Sequence, residues 1–296
     1  MIPHHKATVR SIGGATFVFE ITSTESEESP VLRIACDPVL CPEGTIQNYG
    51  LMKSKRLEGP VLDGEDDLKH VDLWLLTHGH EDHFDELGYN KLIESDAKQV
   101  IAHPGVDDLI KKIIHQPKIQ EKAPDKEVHY LNPGEDHTLI IKDYKIKIKA
   151  VLAIHGKTRK IGAGSGNANG YVVEIFKGEN DQLITVFYIT GDSVFNEENL
   201  KHDESILKYL FDFVIANAGG ASVKNVPLIG GIMTHMLGTI TNTAKDVVAL
   251  HEKLTPKKTL VVHHGTFCHY DEKLDDKSFE NPDIVVVKPG QTVQVL

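Results

Sequence analysis

His78-Gly79-His80-Glu81-Asp82-His83 puts three imidazoles and the Asp82 carboxylate into one short stretch. That density of nitrogen and oxygen donors suits a divalent metal better than a solvated histidine-rich loop. The stretch follows an apolar run, Val71-Asp72-Leu73-Trp74-Leu75-Leu76-Thr77, which predicts a buried strand. It leads into a helix expected from about Phe84 to Glu94. In an extended segment His78 and His80 point the same way, whereas Asp82 and His83 fall where the chain turns. One loop can therefore serve two neighbouring metals.

Other apolar runs end in the same kind of residue. Tyr144 to Ile154 leads into His155-Gly156, Leu183 to Thr190 into Gly191-Asp192-Ser193, and Leu260 to Val262 into His263-His264-Gly265. Taken singly, a histidine after a strand is a surface residue and Gly-Asp is a common turn. Taken with the first loop, they supply the further donors that a two-metal site requires.

Further strands are expected at Ala7 to Ile21 (broken at its Gly-Gly), Val31 to Ala35, Gln99 to Ala102, Val128 to Leu131, Thr138 to Ile141, Tyr171 to Phe176, Phe213 to Ala216 and Ile284 to Val287. Helices are expected at Asp107 to His115 and Thr243 to Leu254. Pro38 to Glu65, rich in Pro, Gly and charge, predicts a long surface excursion over the site. Strands and helices are interspersed without a linker-like break, which predicts one α/β (α+β) domain over residues 1–296.

The chain has 296 residues, 40% of them hydrophobic, enough for a substantial core. Its net charge of −11, with no concentrated Lys/Arg surface, argues against a nucleic-acid partner and for a small-molecule substrate. Three cysteines without C-x-x-C spacing fit a reducing, cytoplasmic setting. The N-terminus lacks an apolar signal core, and no apolar run approaches the ~20 residues of a transmembrane segment. Composition leaves homo-oligomer formation open.

Taken together, the His78–His83 motif and the later His, Asp and His at strand ends resemble the metallo-β-lactamase superfamily. Ile12-Gly13-Gly14-Ala15-Thr16, Cys36-Asp37-Pro38 and His263-His264-Gly265-Thr266-Phe267 look like its branch containing the ascorbate-6-phosphate lactonase and the N-acylphosphatidylethanolamine phospholipase D. Gly14 stands where many members of that branch carry His. The resemblance implies a four-layer αβ/βα sandwich with metals at the exposed sheet ends. It implies a first metal on His78, His80 and His155, a second on Asp82, His83 and His263, and Asp192 bridging. The H-x-G-T-F pattern favours His263 over His264 as the last ligand.

Imidazole-rich donors favour zinc, with manganese or iron tolerated. Two such cations lower the pKa of a shared water towards neutrality and polarise the electrophile, so no serine or cysteine nucleophile is needed. Hydrolysis of a small ester, lactone or phosphodiester is the expected chemistry, with Asp82 or Asp192 orienting the attacking hydroxide. The alternative is a di-iron or mononuclear-iron oxidoreductase on the same fold.

Less determinate candidates complete the set. His235 could donate to a developing oxyanion. Lys157 and Arg159, in the Gly156 to Gly170 loop, could grip an anionic group. His264, Cys268 and His269 could line the pocket. Asp37, preceding a proline, is read as a turn residue, although the resemblance implies a place beside the metals.

Overall fold

The computed structural model describes residues 5–23, 30–49, 53–158, 168–177, 181–222 and 239–296. His235 and Arg159 lie outside these residues. The strands in chain order are β1 (His5–Gly13), β2 (Thr16–Ser23), β3 (Pro30–Cys36), β4 (Ile46–Asn48), β5 (Lys53–Lys55), β6 (Leu73–Leu76), β7 (Gln99–Ala102) and β8 (Glu127–Tyr130). They continue with β9 (Asp136–Ile141), β10 (Tyr144–Ala153), β11 (Ala168–Lys177), β12 (Gln182–Ile189), β13 (Phe213–Asn217), β14 (Lys258–Val262), β15 (Ile284–Val286) and β16 (Thr292–Gln294).

Among the described residues they build two seven-stranded sheets, ordered β16-β1-β2-β3-β6-β7-β8 and β15-β14-β13-β12-β11-β10-β9, with β4-β5 as a separate hairpin. Strands β3, β6, β7 and β8 run parallel, as do β12, β13, β14 and β15. Two antiparallel steps align β10 with β12. Loops that follow β6, β10, β12 and β14 therefore leave from carboxyl ends, where open α/β sheets place their ligands.

Strand periodicity sorts side chains into layers. Alternate residues, such as Phe19, Ile34, Leu73 and Leu75 from one sheet and Ile148, Val173, Phe187, Phe213 and Ile215 from the other, form the core between the sheets. The opposite faces pack under helices. Trp74, Leu76 and Val100 meet Phe84, Tyr89 and Leu92, while Val172, Val214 and Val261 meet Val247, Leu250 and Leu254. The layers are thus helix, sheet, sheet, helix, the mixed α/β sandwich the sequence predicts. Strand β6 is apolar at every position because both its faces are covered.

The helix Glu86–Glu94 starts at an Asp85 N-cap, and Ala244–Leu254 starts at a Thr243 capping box, which satisfies its first free amides. The helix expected over Asp107 to His115 is found as Gly105–Leu109 running into a wider π-turn, Ile110–Ile114. It stops at His115 in the left-handed conformation.

The excursion is more ordered than its composition suggests. Its hairpin is stitched to the loop after β14 by Leu57 N–H to Thr266 O (2.7 Å) and Cys268 N–H to Lys55 O (2.9 Å). Arg56, fully buried, donates to the carbonyls of Val39 (2.9 Å) and Glu58 (2.8 Å) and lies over the Phe267 ring.

Candidate metal centre

Residues distant in sequence converge at this rim. His78, His80 and His155 form one group of potential ligands, and Asp82, His83, Asp192 and His263 form another; within each group the ligand atoms lie within 4.8 Å of one another. Asp192 faces both groups. Its Oδ1 is 3.1 Å from His83 Nε2 and 3.7 Å from His263 Nε2, and its Oδ2 is 3.5 Å from His155 Nε2.

Local backbone explains how these side chains arrive. The start of the first loop is anchored to the opposite sheet, with Tyr171 Oη donating to Leu76 O (2.8 Å) and Asn169 N–H donating to Thr77 O (3.0 Å). Gly191 has φ 57° and approaches Asn169 so closely that a Cβ would sit 2.3 Å from the Asn169 carbonyl oxygen. Only glycine lets the chain turn there and deliver Asp192 inward. His263 (φ 64°) and Asp37 (φ 44°) adopt the left-handed conformation without being glycine. Such strain persists only where surrounding contacts impose it, and it concentrates at functional sites.

Hydrogen bonds orient the imidazoles. Asp37 is buried and accepts from Thr77 N–H (2.7 Å), Thr77 Oγ1 (2.6 Å) and His83 Nδ1 (2.8 Å). Asp37 thus occupies the expected turn and also sits beside the cluster, the place the resemblance implies. With its proton given to Asp37, the Thr77 oxygen is free to accept from His78 Nδ1 at 2.9 Å. His155 Nδ1 lies 2.5 Å from Ile240 O, to which it donates. His78 and His155 therefore turn an unprotonated Nε2 towards the cluster, and Asp37 holds the Nδ1 hydrogen of His83 so that Nε2 is the atom facing it, the arrangement that carboxylate or carbonyl partners impose on ligating histidines.

Burial pushes His80 down to about 4, with neighbouring His155 adding to the effect. It likewise pushes His263 down to about 3, against the pull of Asp192. These rings stay neutral with lone pairs available. Burial would raise the carboxyls of Asp82 and Asp192, but the surrounding histidines outweigh it and hold both well below the usual carboxylate range. Burial opposes charging of His83 as well, yet Asp192 and Asp37 on either side raise it well above its ordinary value.

The donor set fits divalent cations. His263 Nε2 and His83 Nε2 stand 2.8 Å apart and His78 Nε2 and His80 Nδ1 3.0 Å apart, pairs of ring nitrogens converging on shared points. Asp82 Oδ1 is buried without a hydrogen-bond partner, an arrangement too costly to keep unless the atom binds something else. Five imidazoles with two carboxylates are donors that suit zinc, manganese or iron.

The other expected residues fall elsewhere. Lys157 is exposed, and its carbonyl accepts from Asn196. His264 lines a separate cleft of about 440 Å³ with Glu58, Lys273 and Lys288, and none of the seven clustered residues borders that cleft. Sequence reasoning missed Tyr49, Ser54 and Tyr270. Tyr270 Oη donates to Asp82 Oδ2 (3.2 Å) and lies 2.8 Å from His263 Nε2. The ring of Tyr49 meets those of His80 and His269 edge-on. Tyr49 and Ser54 come from the excursion, where no periodicity marks them. Tyr270 could have been sought by its nearness in sequence to His263.

A family model described as "Beta-lactamase superfamily domain" matches residues 33–264. No curated protein sequence matches the chain. Among solved structures, the isothiocyanate hydrolase from Delia radicum gut bacteria is 18% identical, with a TM-score of 0.64 over 97% of this chain and 98% of its own. A possible metal-dependent hydrolase from Veillonella parvula DSM 2008 is 17% identical, with a TM-score of 0.66 over 98% of this chain and 99% of its own. CmlA, a diiron beta-hydroxylase from Streptomyces venezuelae, is 14% identical, with a TM-score of 0.54 over 90% of this chain and 46% of its own. At these identities the likeness is one of fold.

Proposed function

The chain belongs to the beta-lactamase superfamily, and from that premise we propose that it is a metal-dependent hydrolase of a small ester, lactone or phosphodiester. The observation that carries this reading is Asp192, whose two carboxylate oxygens face two separate groups of ligand atoms. In this reading His78, His80 and His155 would hold one divalent cation, Asp82, His83 and His263 would hold the other, and Asp192 would serve both.

When bound, the two cations would supply an acidified water and Lewis-acid polarisation of the scissile group. The chain's own residues prepare the site. Asp37, Thr77 and the Ile240 carbonyl fix which ring nitrogens are free to ligate. Asp192 and Asp82, held ionised, orient a water by accepting its hydrogens. Asn217 Nδ2 donates to Asp192 Oδ1 (3.1 Å) and keeps the bridging carboxylate from rotating. His235 and Arg159 remain proposed contacts to the substrate, as an oxyanion donor and an anion grip.

Zinc is the metal this donor set favours, and the branch suggested is that of the lactonase and phospholipase D. The test is elemental analysis of the purified protein combined with screening of lactones, carboxylic esters and phosphodiesters before and after metal exchange. Hydrolysis that tracks metal occupancy supports the reading. Obligatory iron with oxygen consumption overturns it in favour of oxidoreductase chemistry, which the fold also hosts in the diiron hydroxylase CmlA.

A further inference from the structure

His269 is not one of the seven clustered donors, yet it points at them. Its side chain is 7% exposed, and Nε2 lies 3.5 Å from Asp82 Oδ2. On the other side of the ring, Nδ1 is 2.6 Å from the hydroxyl of Ser54, a fully buried residue. The contact is built by main-chain pairing between the excursion and the loop after β14, through Lys55 and Cys268.

A carboxylate surrounded by imidazoles serves as the acceptor, so the nitrogen turned towards Asp82 is the one that carries hydrogen. Nδ1 then accepts from Ser54, and the two ends of the ring agree on a single tautomer. At 3.5 Å the contact is long for a hydrogen bond, and Oδ2 has a nearer donor in Tyr270 Oη at 3.2 Å. An N–H is left aimed at the cluster with capacity for another acceptor. Tyr49 packs edgewise against both His80 and His269, at ring separations of 6.5 and 5.9 Å. The two histidines therefore share one face of the site, with the Tyr49 ring across it.

We propose that His269, held by Ser54 with its Nε2–H turned towards the cluster, donates the hydrogen bond that anchors an anionic oxygen of the substrate beside Asp82. The inference rests on the metal-dependent hydrolase reading above and names the substrate feature that reading leaves open, a charged oxygen of phosphate or carboxylate type. His269 touches the substrate; Ser54 is a positioning residue that acts through it.

The experiment uses the cobalt-loaded protein with inorganic phosphate as probe. Cobalt content is measured by elemental analysis and phosphate binding by the change in visible absorption. Wild type and H269A should hold equal cobalt, while phosphate binds H269A about tenfold or more weakly, the effect of removing one hydrogen bond to a charged group. H269Q, whose amide nitrogen can stand near the lost Nε2, should recover part of the affinity, and it carries the test if H269A does not fold.

In S54A the ring loses the partner that holds Nδ1, and the imidazole nitrogen correlations of His269 should broaden from one environment to several, which loss of a merely space-filling serine would not cause. Equal phosphate affinity in wild type and H269A, with cobalt retained, overturns the inference and leaves the metal reading standing. Loss of cobalt from both His269 variants overturns it by making His269 a ligand. Failure of the wild type itself to take up cobalt removes the underlying reading, and this inference with it.

Discussion

Replacing Asp37 with Asn should weaken both metal positions through tautomers alone. The carboxylate accepts from His83 Nδ1 at 2.8 Å and from the Thr77 hydroxyl at 2.6 Å, and that hydroxyl in turn accepts from His78 Nδ1 at 2.9 Å. One buried anion thereby dictates the protonated nitrogen on a ligand in each of the two groups. Asparagine keeps the shape but presents N–H to one side. If its oxygen stays on the Thr77 amide, its nitrogen faces His83 Nδ1 and forces that ring to carry hydrogen on Nε2, where the metal must bind. Partners of this kind are worth about 10–100-fold in metal affinity. Loss of hydrogen bonds to a buried charge should also lower stability by about 1.5–3 kcal/mol. Competitive chelator titration with zinc, alongside nitrogen correlations of the imidazoles, measures both effects. Wild-type affinity in D37N with unchanged tautomers of His78 and His83 would refute the reasoning.

Three further perturbations probe the frame around the site. Gly79→Ala would place a Cβ 2.3 Å from the Gly105 carbonyl oxygen; it should cost about 1–3 kcal/mol in thermal unfolding and reduce metal content by displacing the loop. Phe187→Ala removes the ring that stacks on Phe213 and packs tilted against Phe19, each at 4.8 Å, between the sheets, and denaturant unfolding should show a loss of about 3–5 kcal/mol. Burial raises the Cys36 thiol well above its ordinary value and pushes Cys41 up to about 11, whereas Cys268 is exposed. A colorimetric thiol reagent in mildly alkaline buffer should therefore titrate one cysteine in the native protein and all three after denaturation; prompt reaction of more than one in the native state would contradict the packing around Val39 and Leu75.

How much of this was legible in the sequence depended on what set each residue's place. The clustered donors at strand ends were readable because the strands announce themselves: Leu73–Leu76 is apolar throughout as it is covered on both faces, and the polar residues after it can only lie at the rim. The same logic found His155, Asp192 and His263. Asp37 obeys it too, lying at the end of β3 beside β6 in the same parallel set, yet the proline after it made the turn reading look sufficient. Ser54, Arg56 and Tyr49 had no such signal. They sit in a segment whose composition reads as surface loop; Ser54 and Arg56 are buried where residues 55–57 pair with 266–268, far away in sequence, and Tyr49 packs against His80 and His269. The break at Ile110–Ile114 was equally hidden, because nothing in Ile-Lys-Lys-Ile-Ile distinguishes a π-turn from another turn of α-helix.

The most direct test of the account is the number of divalent cations held per chain, counted by elemental analysis after dialysis in wild type and in D192N. Two per wild-type chain are predicted, with imidazole ligation visible in X-ray absorption, and D192N should lose occupancy at both positions since Asp192 faces both groups. A wild-type chain that retains none, or a D192N chain that retains two as tightly as wild type, would contradict it.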